Sequence, residues 1–352
     1  MGHLRNAMKP VVAIASIFLC VVLLSSCGGS STGGGGAKPS GGSEETLDVY
    51  NFELSNLSSK PLAIYYPAYS KNVEVRESTS GLFEGTYTPD TGAYTINSLR
   101  SMLSINTDFW DSPSNTFSVQ VREPIKSSDG GFPDEGKLLI LDNGANKITV
   151  SFSPRGVSID HDNSSPASLS WNDFGNLLAF ETDTWKQQAA LSWAVIELIT
   201  QQIDLTMDSI ITIKDKKDDI KQATDHKLTI SCDLFTGKEK SIRALQWIDT
   251  SGNKVIGTGD DFQLTFVDCW ENNPDSKVDL LLFGLVSLNG FIEENETDKG
   301  RIFLTRTGGQ LSFDGLTISQ TVEYPAGTFT IDTTRTRILN GGFTLTFSEP
   351  KS

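Results

Sequence analysis

TWKQQAALSWAVIELITQQIDLTMDS, residues Thr184–Ser209, decides the fold, because here a chain otherwise written in short alternating runs changes to a helical period. Ala189, Trp193, Ile196, Ile203, Met207 and Ile210 follow 3.6-residue spacing, and Thr184 with Gln187 three residues later resembles a capping box. The spacing predicts one long helix over about 185–209, or as far as Gln222. A second apolar row, Leu191, Val195, Leu198 and Leu205, widens the stripe beyond what one flat packing face needs. Such a helix must be embraced on more than one side, for example by a curved sheet. It does not read as a membrane span, since Glu197, Gln201, Gln202, Asp204 and Asp208 break any apolar window of about 20 residues. The mixed-sign run from Lys214 to Lys221 reads as a solvated helix end or loop.

On both sides of the helix the period is two. From Thr46 to about Phe174 short alternating runs are broken by turn residues, as in 85–96 and in Leu138–Leu141, the turn Asp142-Asn143-Gly144, and Ile148, Val150 and Phe152 on one face. After the helix the same grammar returns in Lys227–Cys232, Phe262–Phe266, Val278–Leu288 with Asn289-Gly290, Arg301–Arg306, Leu316–Val322, Thr328–Leu339 with Asn340-Gly341-Gly342, and Phe343–Phe347. The expected class is mainly β: an antiparallel meander, half-barrel or sandwich with one long central helix. The expected divisions are an N-terminal β region over 46–180, the helix region 181–226 and a C-terminal β region over 227–352, as one domain or two.

Composition narrows the function classes. With 38% apolar and 21% charged residues the chain is of globular type. Twenty-nine Lys and Arg against 44 Asp and Glu give a net charge of −15, which argues against a nucleic-acid surface because that needs clustered cations. Three His and four Cys leave little material for a transition-metal cluster.

The N-terminus reads as an export signal: Arg5 and Lys9 precede an almost unbroken apolar run from Val11 to Leu24, too short to span a bilayer. The run ends in Leu24-Ser25-Ser26-Cys27, which resembles the lipobox of bacterial lipoproteins. That resemblance implies cleavage after residue 26, a lipidated Cys27 and a mature chain with the net charge lowered from −15 to −17 by the loss of Arg5 and Lys9. Residues 28–45 hold eight Gly in 18 positions and read as a flexible tether spanning about 23 Å. Gly28 rather than Asp after the lipidated Cys implies, by the same resemblance, the outer membrane, with the domain facing the periplasm or the cell surface. Several acyl chains would make that anchor durable.

Few signals carry chemistry. In the mature chain after Cys27 only Cys232 and Cys269 remain, and in an oxidising compartment this pair reads as one disulfide, worth about 4 kcal/mol in the chain-entropy picture for a loop of that length. Asp249, Ser251 and Asn253 place oxygens at alternate positions, with Asp260 further on; a hard cation such as Ca²⁺ would suit them, and a polar turn is the competing reading. Asp160-His161-Asp162-Asn163 is a second oxygen-rich spot, but alternate strand residues point to opposite faces. No Gly-x-Ser-x-Gly elbow, His-Glu-x-x-His motif, phosphate loop or dinucleotide fingerprint occurs, so no catalytic residue or cofactor is assigned. The six Trp (110, 171, 185, 193, 247 and 270) read as core or as lining for a carbohydrate or lipid site.

The stretch from the Asp249 loop through Phe262, Leu264 and Phe266 to Cys269 and Leu288-Asn289-Gly290 resembles a module of uncharacterised envelope lipoproteins of Gram-negative bacteria. The imagined architecture is similar to the half-barrel and helix of bacterial lipoprotein carriers. Together these readings lead to the expectation of a non-enzymatic outer-membrane lipoprotein binding a lipid or other hydrophobic small molecule. The alternatives are a structural protein contacting another envelope protein and, more weakly, a hydrolase of envelope polymers, with no nucleic-acid partner in any of them.

Overall fold

Alternation along the strands dictates an inner and an outer face, and the computed structural model places the inner faces around the long helix. It describes residues 49–56, 60–69, 71–77, 83–89, 91–106, 116–142, 147–162, 165–180, 183–231, 242–273, 278–294, 302–304, 309–324 and 328–348. The chain divides into two units, Met1–Thr46 and Leu47–Ser352, and every described residue belongs to the second. The signal, Cys27 and the tether therefore lie outside the described residues.

The protein is mainly β. Among the described residues ten strands precede the helices: β1 (Tyr50–Asn56), β2 (Ala63–Tyr66), β3 (Lys71–Glu77), β4 (Phe83–Tyr87), β5 (Tyr94–Asn106), β6 (Thr116–Ser127), β7 (Glu135–Asp142), β8 (Lys147–Ser153), β9 (Gly156–His161) and β10 (Ala167–Leu169). Two helices follow, α1 (Trp171–Phe180) and α2 (Thr184–Gln222). Then come β11 (Lys227–Ser231), β12 (Ile242–Ile248), β13 (Asp261–Asn273), β14 (Val278–Asn289), β15 (Ile292–Glu294), β16 (Ile302–Leu304), β17 (Gly309–Tyr324) and β18 (Thr328–Ser348). All but β15 and β16, which pair with each other, join one 16-stranded sheet.

The sheet is two meanders sewn together. β1 and β2 lie in line along β18, Asn56 opposite Phe343 and Ala63 opposite Asn340, while β3 and β4 lie in line along β5, Glu77 opposite Ser101 and Phe83 opposite Leu99. Each in-line pair thus acts as one long interrupted strand. The N-terminal meander runs outward to β10 and the C-terminal one from β11 back to β18, and the β1/β2 to β18 ladders are the seam between them. The other two edges, β10 and β11, flank the helices in sequence.

Both apolar rows of α2 are buried, from Ala189 to Ile210, in one cluster with side chains of both meanders. Only a sheet curving round the helix buries opposite sides of it at once. Strand parity sets the wall: Ile148, Val150 and Phe152 of β8 point inward, as do Phe52 and Leu54 of β1. Each such aliphatic or aromatic side chain contributes about 1.5–3 kcal/mol relative to exposure. No described helix is long and apolar enough to cross a membrane.

Three local expectations change, and of the two expected ends of the long helix the later one is realised. The helix begins at Thr184, but its N-cap is Asp183 and carries no side-chain cap, so Thr184 does not open a capping box; Asp183 instead pairs with Lys186 at 2.9 Å. The helix continues to Gln222, with a non-helical Lys216 inside the exposed charged run. A second helix, α1, stands where the strand region was expected to reach Phe174; Ser170 Oγ accepts from the Asp173 N–H at 3.2 Å and caps it. Asn340-Gly341-Gly342 is no turn, since β18 runs through it unbroken. The hairpins of 85–96 and of β7–β8 form as expected, with Asn143 and Gly144 outside the described residues.

Candidate functional site

The polar residues that break the apolar run of α2 form a pattern of their own. Glu197, Gln201, Asp204 and Asp208 are spaced i, i+4, i+7 and i+11, which puts them on one side of the helix. Inward-facing polar residues of the sheet meet this stripe. Arg337 of β18 approaches Glu197, Nη2 to Oε2 3.5 Å; the Tyr87 hydroxyl of β4 donates to Asp204 Oδ1; and Arg243 of β12 pairs with Asp208. Tyr66 of β2 lies beside Arg337, because Ile338 and Tyr65 are register partners and both neighbours turn inward. Tyr94, opposite Tyr87 in the β4–β5 ladder, donates to the carbonyl of Gly131 at 3.2 Å.

The electrostatics follow from where these groups sit. Burial pushes the Tyr66 phenol up to about 12, with the Arg337 charge opposing and the Glu197 charge adding. Tyr87 and Tyr94 are raised further, by burial first and then by Asp204 and Glu197 respectively, so all three phenols stay neutral donors. Asp204 is held above the usual carboxylate range, mainly by burial and partly by Asp208, against the Tyr87 hydrogen bond that lowers it. Yet its side chain keeps accessible surface. Asp204 is thus crowded by protein on one side and open to solvent on the other.

That combination carries a pH prediction. A carboxylate whose folded pKa is raised contributes stability below its unfolded pKa and loses it as pH rises through the folded value. Asp204→Asn keeps an acceptor for Tyr87 and removes the charge. The variant is therefore expected to melt a few degrees higher than the parent at pH 8 and to converge with it near pH 3. Equal shifts at both pH values in a thermal melt would sink this account of the Asp204 carboxyl.

Among the described residues three polar atoms at this interface have no partner, Tyr66 OH, Gln201 Oε1 and Arg337 Nε, and Gln202 Oε1 has none on another side of α2. Tyr66, Gln202 and Arg337 are 2%, 2% and 4% exposed, so bulk water does not serve them. Unpaired buried groups of this kind cost about 1–3 kcal/mol each, more when charged. What the arrangement offers is recognition: neutral phenols, amides and a guanidinium inside an apolar shell.

The residues singled out from sequence lie elsewhere. Asp249 Oδ1 accepts from Ser251 Oγ and the Gly252 N–H and its Oδ2 from the Lys254 N–H, while Asn253 Oδ1 accepts from the Val255 N–H at 2.7 Å. Asp260 is buried and its Oδ2 accepts from Trp247 Nε1 and the Gly257 N–H, both at 2.9 Å. The oxygens of Asp249 and Asn253 are thus spent on the loop's own groups, whereas the buried Asp260 Oδ1 has no partner among the described residues. Among the described residues no group of three His, Cys, Asp or Glu side chains is placed to hold a metal. Cys269 is 1% exposed and disulfide-bonded; Cys232 lies outside the described residues. His161 stacks on Trp185 and contacts Asp162 at 3.2 Å, which ties β9 to the start of α2; Asn163 is outside the described residues.

Trp110 lies outside the described residues, and the aromatic signal of α1 and α2 resolves into structure. Trp171 stacks nearly parallel to Phe132 and Phe152, and Phe152 and Trp193 meet at 5.0 Å, joining α1 to α2 and the sheet. Arg337, Tyr66, Tyr87 and Tyr94 were not singled out from sequence. A signal existed for one of them: Arg337 is in phase with the inward Leu339, Phe343 and Leu345, a cation that continues an apolar face.

No family model matches this chain, and no curated protein matches it. A solved structure, the beta-barrel-like protein of domain of unknown function DUF1849 from Brucella abortus, aligns over 86% of this chain and 97% of its own at 8% identity. The TM-score is 0.19, so the architecture rests on the strand pairing described above and not on that likeness.

Proposed function

We propose that this chain is a non-enzymatic lipoprotein, anchored through Cys27 to the bacterial outer membrane, that holds an amphipathic or apolar ligand between α2 and the inner face of its sheet. The anchor rests on the lipobox Leu24-Ser25-Ser26-Cys27 and the Gly-rich tether. The binding role rests on one observation: buried polar atoms of β2, β18 and α2 stand unpartnered within the apolar core that the sheet and the helix share. Fold and function are separable, so the argument uses the site and not the architecture. Cys232 is the proposed partner of Cys269, its only remaining choice in a mature chain whose Cys27 is acylated.

The test is native mass spectrometry of the mature chain carrying Cys27→Ser, exported and purified without detergent. An added mass in the fatty-acid or phospholipid range that leaves on denaturation is the expected result, with the denatured polypeptide two hydrogens lighter than its reduced form. A bare monomer would count against the ligand and favour the second reading, a protein that contacts another envelope component. One observation supports that alternative: Phe283 and Val267, 55% and 40% exposed, meet on the outer face at the β13–β14 bulge.

A further inference from the structure

Resting on the binding role just proposed, we infer that Arg337 and Tyr66 form the seat for the carboxylate of a long-chain fatty acid whose acyl chain lies along the inner face of β2 and β18. The two side chains are neighbours on adjacent strands and both point inward. Arg337 brings five donors in a planar fork. Among the described residues Glu197 engages one of them, from Nη2 at 3.5 Å, beyond good hydrogen-bonding range, and Nε has no partner. The Tyr66 hydroxyl beside it is also unpartnered.

The missing ligand atoms are therefore acceptors. A buried guanidinium with one weak contact is costly, whereas an acceptor-only anion placed against the Nε edge and the phenol would satisfy both donors with charge-assisted bonds. Tyr66 remains a neutral donor throughout the physiological range because burial pushes its phenol up. Glu197 nearby disfavours a dianion, which selects a carboxylate over a phosphate monoester. The wall around the seat is apolar: Ile318 is the register partner of Arg337, and Ile64 pairs with Leu339 one inward position along, each at most 1% exposed. A polar seat in an apolar wall fits a headgroup with a tail rather than a small anion.

The experiment compares palmitate, hexadecanol and acetate by calorimetric titration of the delipidated mature chain carrying Cys27→Ser. Palmitate is expected to bind about ten-fold or more tightly than hexadecanol, which has the same chain length and no charge, and acetate is expected not to compete. Arg337→Met and the conservative Tyr66→Phe should each bring palmitate down to the hexadecanol level while hexadecanol binding persists. Persistence of that binding also shows that the variants remain folded. Equal affinities for palmitate and hexadecanol in the parent would overturn the seat and leave the binding role standing. Acetate competing as well as palmitate would overturn the acyl assignment, and binding of neither amphiphile would remove the binding role itself.

Discussion

Trp193→Ala is expected to cost about 3–5 kcal/mol, the range for deleting a large buried aromatic side chain when the cavity does not collapse. Trp193 is 5% exposed on α2, packed against Phe152 of β8 at 5.0 Å and Trp171 of α1 at 5.7 Å. The indole, carried by the helix that connects the meanders, thus touches the short helix before it and the sheet wall, so the neighbours that would have to move are fixed in two other elements. A domain holds about 5–15 kcal/mol in all, so the loss is a large fraction of the total. The midpoint of urea unfolding should fall sharply with the slope unchanged, because the same surface is exposed on unfolding. Trp171→Ala should cost less, since Trp171 is only half-buried. Equal losses for the two variants would mean that the helix is not the centre of this core.

Trp193 was readable from the helical period alone, and so was the demand that α2 be surrounded, because apolar rows on two sides of one helix leave no other arrangement. The tight hairpins were readable for the same local reason: Asp142-Asn143-Gly144 and the alternation around it occupy 15 residues. The seam was not. Tyr66 and Arg337 stand 271 positions apart, and a period-2 pattern says which face a residue takes but not which strand lies beside it. The polar stripe lay between these cases. Glu197, Gln201, Asp204 and Asp208 read as interruptions of a membrane span, although their spacing already placed them on one helix face. What local pattern could not supply was the sheet's own polar residues waiting opposite. The short helix α1 escaped because Trp171–Phe180 is brief and Gly-containing, although Ser170 followed by Asp173 marked its start.

Gly341→Val is expected to be the most damaging single change, because it acts where the two meanders meet. Gly341 has φ +81, a left-handed conformation that a β-branched residue avoids. An added Cβ would stand 2.1 Å from the Pro61 carbonyl oxygen, so the obstacle is backbone and cannot rotate away. The position explains why the glycine is needed. Here the strand partner of β18 is interrupted between β1 and β2, Pro61 bridges to Gly342, and the Gly342 N–H donates to the Lys60 carbonyl at 3.1 Å. Backbone strain of this kind costs about 1–3 kcal/mol before any clash is counted. Relieving the clash means moving the β2 end away from β18, which opens the seam that also seats Arg337 beside Tyr66. The exported variant should therefore fail to accumulate, or melt at least about 10 °C lower, whereas Gly252→Val should cost much less because nothing lies within 4 Å of its added Cβ. Both glycines share a positive φ, so the difference between the variants isolates the close approach from the backbone angle. A Gly341→Val protein as stable as Gly252→Val would mean that β1 and β2 do not lie along β18, and the two-meander architecture would fall with them.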